Sequence, residues 1–182
     1  MGVILLFSSC FLLKKARNNK RVKKVSVELY LENTIIRNKL RMKGNELMRL
    51  WHVELLPYLP KGQLVAQWRE LNSIFVKEDK HILINYIYNY PKDDLYTYTK
   101  RVINEMFKRG YTIRSYEKME HYFKDLELSI VPHPYIYHHD DEYLEICFFN
   151  LKEKFMRGQK DYDKQQYDDL FQYVKNKLNS SS

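Results

Sequence analysis

Asp93-Asp94-Leu95-Tyr96-Thr97-Tyr98-Thr99-Lys100-Arg101-Val102-Ile103-Asn104-Glu105-Met106-Phe107-Lys108-Arg109-Gly110 carries the plainest periodicity in the chain. Leu95, Tyr98, Val102, Ile103 and Met106 fall on one side of a helix with about 3.6 residues per turn, which predicts an α-helix over 94–109 with those side chains facing a core. Asp93 is placed to cap its first turn. Lys108 and Arg109 suit the negative end of the helix dipole, and Gly110 can take the left-handed conformation that closes a helix.

A second helix is expected over 63–76, where Leu64, Trp68, Leu71 and Phe75 form an apolar stripe and Gln63, Gln67, Glu70 and Ser73 lie along another side. Ahead of it, Pro57 and Pro60 impose an extended or turning chain. Further helices fit 115–123, 141–156 (begun by Asp140 and stopped near Gly158) and 161–178, with 179–182 fraying. Residues 81–90 read equally as a strand or as a buried helix, closed by Pro91, and an irregular aromatic segment surrounds Pro132 and Pro134. With no internal repeat and no glycine-rich phosphate loop, the expected class is all-α. The expected organisation is a poorly packed extension at 1–47, a compact helical domain at 48–158, and a C-terminal helix and tail at 159–182.

Composition agrees with a folded body. The chain has 182 residues, 45% hydrophobic and 15% aromatic with 16 tyrosines, and only five glycines and five prolines, which excludes disorder for most of its length. Two cysteines, Cys10 and Cys147, make no disulfide framework, so a reducing, cytoplasmic setting is expected. The formal charge of +8 suggests a polyanionic partner until it is located. Eleven of the 31 basic and three of the 23 acidic residues precede Met48, which leaves twenty of each sign after it. The apolar run at 2–13 is too short to span a bilayer, which takes roughly 20 residues. It also lacks the basic leader of an export signal, so no membrane partner is expected. A short helix around 28–40 would have little to pack on.

Several groupings invite chemistry. His138-His139-Asp140-Asp141 offers metal-ligand types, but neighbours at a helix start diverge by about 100 degrees and seldom converge on one ion, so no metal site is expected there. Cys147, within an apolar helix, reads as a small core residue. The tyrosines suit either packing or stacking on bases. Eight basic against five acidic residues over 92–124 could touch phosphates or simply be a solvated face. Arg69-Glu70 sits mid-helix beside the apolar stripe, near Gln63 and Gln67. It reads either as a surface ion pair or as a carboxylate held beside a basic cleft.

Met48-Arg49-Leu50-Trp51-His52, followed by Gln63-Leu64-Val65-Ala66-Gln67-Trp68-Arg69-Glu70-Leu71, resembles the pyrimidine dimer DNA glycosylase family, in particular a compact bacterial branch of it. Lys80-His81, Met106-Phe107-Lys108-Arg109-Gly110-Tyr111 and a segment around 139–154 extend the resemblance to about residue 157. The family is all-α, cuts the glycosidic bond of ultraviolet-damaged bases, and nicks the strand at the abasic site through the chain's own terminal amine. The resemblance implies Met48 as nucleophile and Glu70 as the carboxylate that stabilises the developing sugar cation and moves protons. It implies Arg49 and Arg69 on the flanking phosphates, with Gln63 and His81 near the DNA. It also implies no cofactor or metal and damaged double-stranded DNA as partner; a monomer is expected.

The amine is suited to this task. An α-amino group titrates near about 7.7–8.0 against about 10.4 for lysine, so it is partly free base at neutral pH. In this sequence, however, the Met48 nitrogen is in a peptide bond to Leu47 and cannot form an imine. Translation is therefore expected to begin at Met48. Lys43-Gly44, three codons upstream, can be encoded by a ribosome-binding purine tract, and the bulk of Arg49 disfavours removal of the methionine. The alternative is a non-catalytic nucleic-acid-binding protein of the same fold.

Overall fold

The chain divides into two units, 1–47 and 48–182, and the computed structural model describes residues 50–78 and 83–180 of the second. The apolar run at 2–13, the short helix expected over 28–40, and Met48, Arg49 and His81 lie outside the described residues. Among the described residues there are helices and no strands. In order they are a 3-10 helix at Val53–Tyr58, α1 at Lys61–Val76, a second 3-10 helix at Asn85–Asn89, α2 at Lys92–Lys108, α3 at Glu117–Tyr122, α4 at Asp141–Met156 and α5 at Lys164–Ser180. The all-α expectation holds. None of these helices is long and apolar enough to cross a membrane.

In α2 the five side chains assigned to the core are all buried. Pro91 precedes the first helical residue, Lys92, in the capping position, where its missing N–H leaves no unpaired donor. Asp93 is not the cap, contrary to expectation. Its carboxylate turns outward to accept the N–H and the hydroxyl of Ser129 at 2.7 and 2.9 Å. At the other end Gly110, with φ 77°, closes the helix as expected. Arg109 serves a different element from the one expected. Its guanidinium, held by Glu105 at 2.7 Å, donates to the carbonyls of Leu59 and Pro57 at 2.6 and 2.8 Å and so caps the end of the first 3-10 helix.

Helix α1 begins at Lys61, two residues before the expected start. Leu64, Leu71 and Phe75 are buried, and Trp68 sits half-buried, edge-on to Tyr116. No side chain caps the helix locally; the carboxylate of Asp161 takes the N–H of Gly62 instead. A Cβ at Gly62 would stand 2.7 Å from that carboxylate, so glycine permits the approach. Asp161 is thereby used outside its own helix, and α5 starts at Lys164 rather than at 161. It also runs on through Ser180, where fraying from 179 was expected, and the Ser180 hydroxyl donates to the Lys177 carbonyl at 2.7 Å.

Helix α5 packs on the first 3-10 helix. Tyr173 donates to Glu54 at 2.5 Å and stacks on Tyr58, and Gln166 reaches the Leu59 carbonyl at 2.8 Å. Helix α4 follows its sequence pattern, with the Asp140 carboxylate accepting the Tyr143 N–H at 2.9 Å and Cys147 fully buried. The ambiguous stretch 81–90 is neither strand nor α-helix where described; it forms a 3-10 turn that buries Ile84 and Ile87. Among the best-covered core positions are Leu50, Leu55, Leu59, Leu64 and Leu71. Burying each such leucine is worth about 1.5–3 kcal/mol before chain entropy is charged. This core clamps the segment 50–59 between α1, α2, α4 and α5.

Candidate functional site

Gln63, Gln67 and Glu70 are four and three residues apart on α1, which sets them along one face. The sequence pattern placed Gln67 on a polar side, yet its side chain is completely buried. Its Oε1 accepts the Trp51 N–H at 2.9 Å and lies 3.0 Å from the Tyr98 hydroxyl, which also donates to the Trp51 carbonyl at 2.8 Å. Because Trp51 supplies an N–H, the amide oxygen must face it and the amide nitrogen must face the other way. That nitrogen donates to the Glu70 carboxylate at 3.0 Å. Burial holds the Tyr98 hydroxyl well above the ordinary tyrosine range, so it remains a proton donor here. Glu70 is thus tied through one buried amide to the backbone of Trp51, three residues after Met48.

The other side of the same segment is held by aromatic and imidazole groups. Tyr143 donates to the Leu50 carbonyl at 2.5 Å. His139 Nδ1 accepts the Val53 N–H at 3.1 Å, which makes Nε2 its protonated nitrogen, and Nε2 lies 2.8 Å from the Tyr86 hydroxyl. His52 accepts the Glu54 N–H at Nδ1 and donates from Nε2 to the His139 carbonyl at 2.8 Å. Burial, reinforced by the neighbouring His52 and His138, pushes the His139 imidazole down to about 2, and burial lowers His52 as well. Both rings are therefore neutral braces. The two nitrogens of His139 are committed to hydrogen bonds, and no group of three or more His, Cys, Asp or Glu side chains placed to hold a metal gathers among the described residues.

Of the six residues singled out by sequence, the structure describes three. Glu70 and Gln63 are half-buried on the α1 face from which Gln67 reaches Trp51, and Arg69 is exposed beside Glu70. Met48, Arg49 and His81 lie outside the described residues. Tyr86 and Tyr143 were not singled out, and Gln67, Tyr98 and His139 were read as a polar-side residue, a core residue and a discounted metal ligand, not as groups that position the site. Gln67 stood inside the quoted string, but nothing in its spacing marks it as a buried connector. An open groove of about 380 Å³, lined in part by Glu54, Tyr58, Arg101, Lys108 and Tyr173, includes none of Gln63, Gln67, Arg69 or Glu70.

No curated protein and no solved structure matches the chain. The family model of the pyrimidine dimer DNA glycosylases does match it over residues 48–119, so the stretch that holds Met48, Arg49, Gln63, Arg69, Glu70 and His81 is similar to pyrimidine dimer DNA glycosylases.

Proposed function

We propose that this protein is a DNA repair glycosylase with abasic-site lyase activity, acting on damaged pyrimidines through a terminal amine at Met48. The observation that carries the reading is the buried link from Glu70 through Gln67 to the Trp51 backbone. Two residues of chain span at most about 7 Å. An amine at Met48 would therefore start from Leu50, whose carbonyl Tyr143 anchors, beside the helix that carries the carboxylate.

The chemistry follows from those groups. The amine attacks C1′ of the damaged nucleotide, the C1′–N bond breaks and the base leaves with a proton. Glu70 stabilises the cationic sugar and moves protons to and from it. The sugar ring opens to an imine at C1′. Removal of a C2′ proton sends its electron pair toward the imine and expels the 3′ phosphate, and water then releases the amine. Arg49 and Arg69 hold the flanking phosphates, while Gln63 and His81 face the DNA. No step needs a metal or a cofactor. The peptide bond between Leu47 and Met48 in the full chain favours the second reading, a nucleic-acid-binding protein of the same fold without the lyase step.

Borohydride trapping on duplex DNA bearing an abasic site separates the two. Protein with Met48 at its terminus should give a covalent adduct that disappears when the amine is reductively methylated beforehand. Absence of an adduct from the unmethylated protein overturns the lyase reading.

A further inference from the structure

Residues 129–139 follow no helical or strand pattern, yet their backbone is tightly held. Asp94 accepts the Tyr135 N–H at 2.6 Å, Thr97 accepts the Val131 N–H at 3.0 Å, and Arg101 donates to the Pro132 carbonyl at 2.5 Å. The turn then closes on itself, with the N–H groups of His138 and His139 both directed at the Tyr135 carbonyl, at 2.8 and 2.7 Å. The Tyr90 hydroxyl binds the Tyr137 backbone. Tyr135 adopts a positive φ of 60°, a conformation that costs a bulky side chain about 1 kcal/mol or more and persists where surroundings enforce it. This bracing leaves Ile136 54% and Tyr137 88% exposed, side by side at the tip. The strained conformation buries the Tyr135 ring completely against Tyr86, Tyr90 and His139, and it turns the two side chains that follow into water, a poor environment for both.

The tip is continuous with the candidate site. Directly after it, His138 stacks on Tyr86 with ring centres 3.6 Å apart and lies 4.8 Å from Tyr143, whose hydroxyl holds Leu50. From Ile130 to His139 there is no carboxylate, although the body carries equal numbers of acidic and basic residues. At the base of the turn the Arg101 cation stands with the carboxylates of Asp93 and Asp94, which are occupied by the turn's own donors. A rigid, carboxylate-free turn presenting an aliphatic and an aromatic side chain has the chemistry of a wedge that enters between stacked bases.

We infer that Ile136 and Tyr137 form a wedge that inserts into duplex DNA beside the lesion and unstacks the base step there. The inference rests on the repair-glycosylase reading, and it supplies a step that reading leaves open. A damaged base must leave the stack before C1′ can be attacked, at a cost of a few kcal/mol, and a wedge fills the space vacated. Because the family match ends at residue 119, this feature belongs to the part of the chain that the matched region does not cover.

The test uses the full-length chain and a duplex carrying a tetrahydrofuran abasic analogue next to 2-aminopurine, which brightens on unstacking and requires no free amine. Wild-type protein should raise the fluorescence several-fold. Tyr137→Ala should lose most of that rise while still binding the duplex by anisotropy and melting at the wild-type temperature. Tyr137→Phe should retain the rise, because stacking needs the ring and not the hydroxyl. An equal rise with Tyr137→Ala, or wild-type binding without any rise, overturns the wedge; borohydride trapping then decides separately whether the lyase reading stands. If Tyr137→Ala alters only the self-association of the protein in sedimentation, the tip serves a second copy of the chain and the wedge is overturned. No binding of wild-type protein to the duplex overturns both readings.

Discussion

Helix α1 and the turn 129–139 flank the same short segment, residues 50–53, and they do so by opposite means. On α1 a regular backbone satisfies itself, and a single buried amide, Gln67, reaches across to the chain at Trp51. In the turn the backbone satisfies itself only in part, so side chains of α2 take the N–H groups of Val131 and Tyr135, and the His139 ring accepts the N–H of Val53. Helical regularity places a charged side chain at a defined angle, whereas an irregular braced segment places apolar side chains where no helix would leave them. The proposed chemistry sits on the first and the proposed opening of DNA on the second.

The largest expected effect separates the two flanks at Glu70. Glu70→Gln keeps an acceptor for the Gln67 amide, so the melting temperature should stay near that of the wild type. Loss of the charge should lower the rate of strand cleavage at the lesion by about 100-fold or more. A rate within a few-fold of wild type would remove Glu70 from the mechanism.

Next comes Gln67→Ala, which leaves the Trp51 N–H without its acceptor in a dry environment, while the Tyr98 hydroxyl keeps the Trp51 carbonyl. Denaturant titration should show a loss of about 2–3 kcal/mol, together with slower cleavage because Glu70 loses its donor. An unchanged midpoint would mean that the buried amide does not organise the segment. On the other flank, Asp94→Ala releases Tyr135 from its positive φ and should cost about 2 kcal/mol. Asp94→Asn, which keeps the accepting oxygen, should cost less, and the order of the two variants is the check.

A further effect is graded by pH. The folded protein keeps His139 and His52 neutral below 6.5, where the unfolded chain protonates them. The unfolded state therefore binds more protons as pH falls. The stability contributed by each neutral ring is fully present above 6.5 and declines below it, toward about 2 for His139. The slope is at most about 1.4 kcal/mol per pH unit for each ring. Melting curves between pH 7 and 4.5 should fall accordingly, and His139→Gln should flatten the slope; a pH-independent melting temperature would mean that these rings are not held neutral.

The two flanks also differ in how far sequence reveals them. The inward residues of α2, the stripe of α1 and the Asp140 cap were all legible, because periodicity and local capping depend on neighbours a few positions away. The burial of Gln67 was not, since its partners at Trp51 and Tyr98 are 16 and 31 residues distant and its own position reads as polar. Asp93, Arg109 and Asp161 each look like local helix-end residues. They bind Ser129, Leu59 and Gly62 instead, partners 36, 50 and 99 residues away. At the candidate site the sequence pointed to the charged residues Arg69 and Glu70, and it was silent on the neutral Gln67, whose buried amide donates to Glu70.

In the proposed reaction the attacking nitrogen is the amine of Met48. The identity of that nitrogen is tested most directly by trapping the protein purified from its native cell on abasic-site DNA with borohydride and mapping the adduct by peptide mass spectrometry. The expected product is a chain whose first residue is Met48, modified at its α-nitrogen. A chain whose first residue is Met1, or an adduct carried by a lysine side chain, would contradict it.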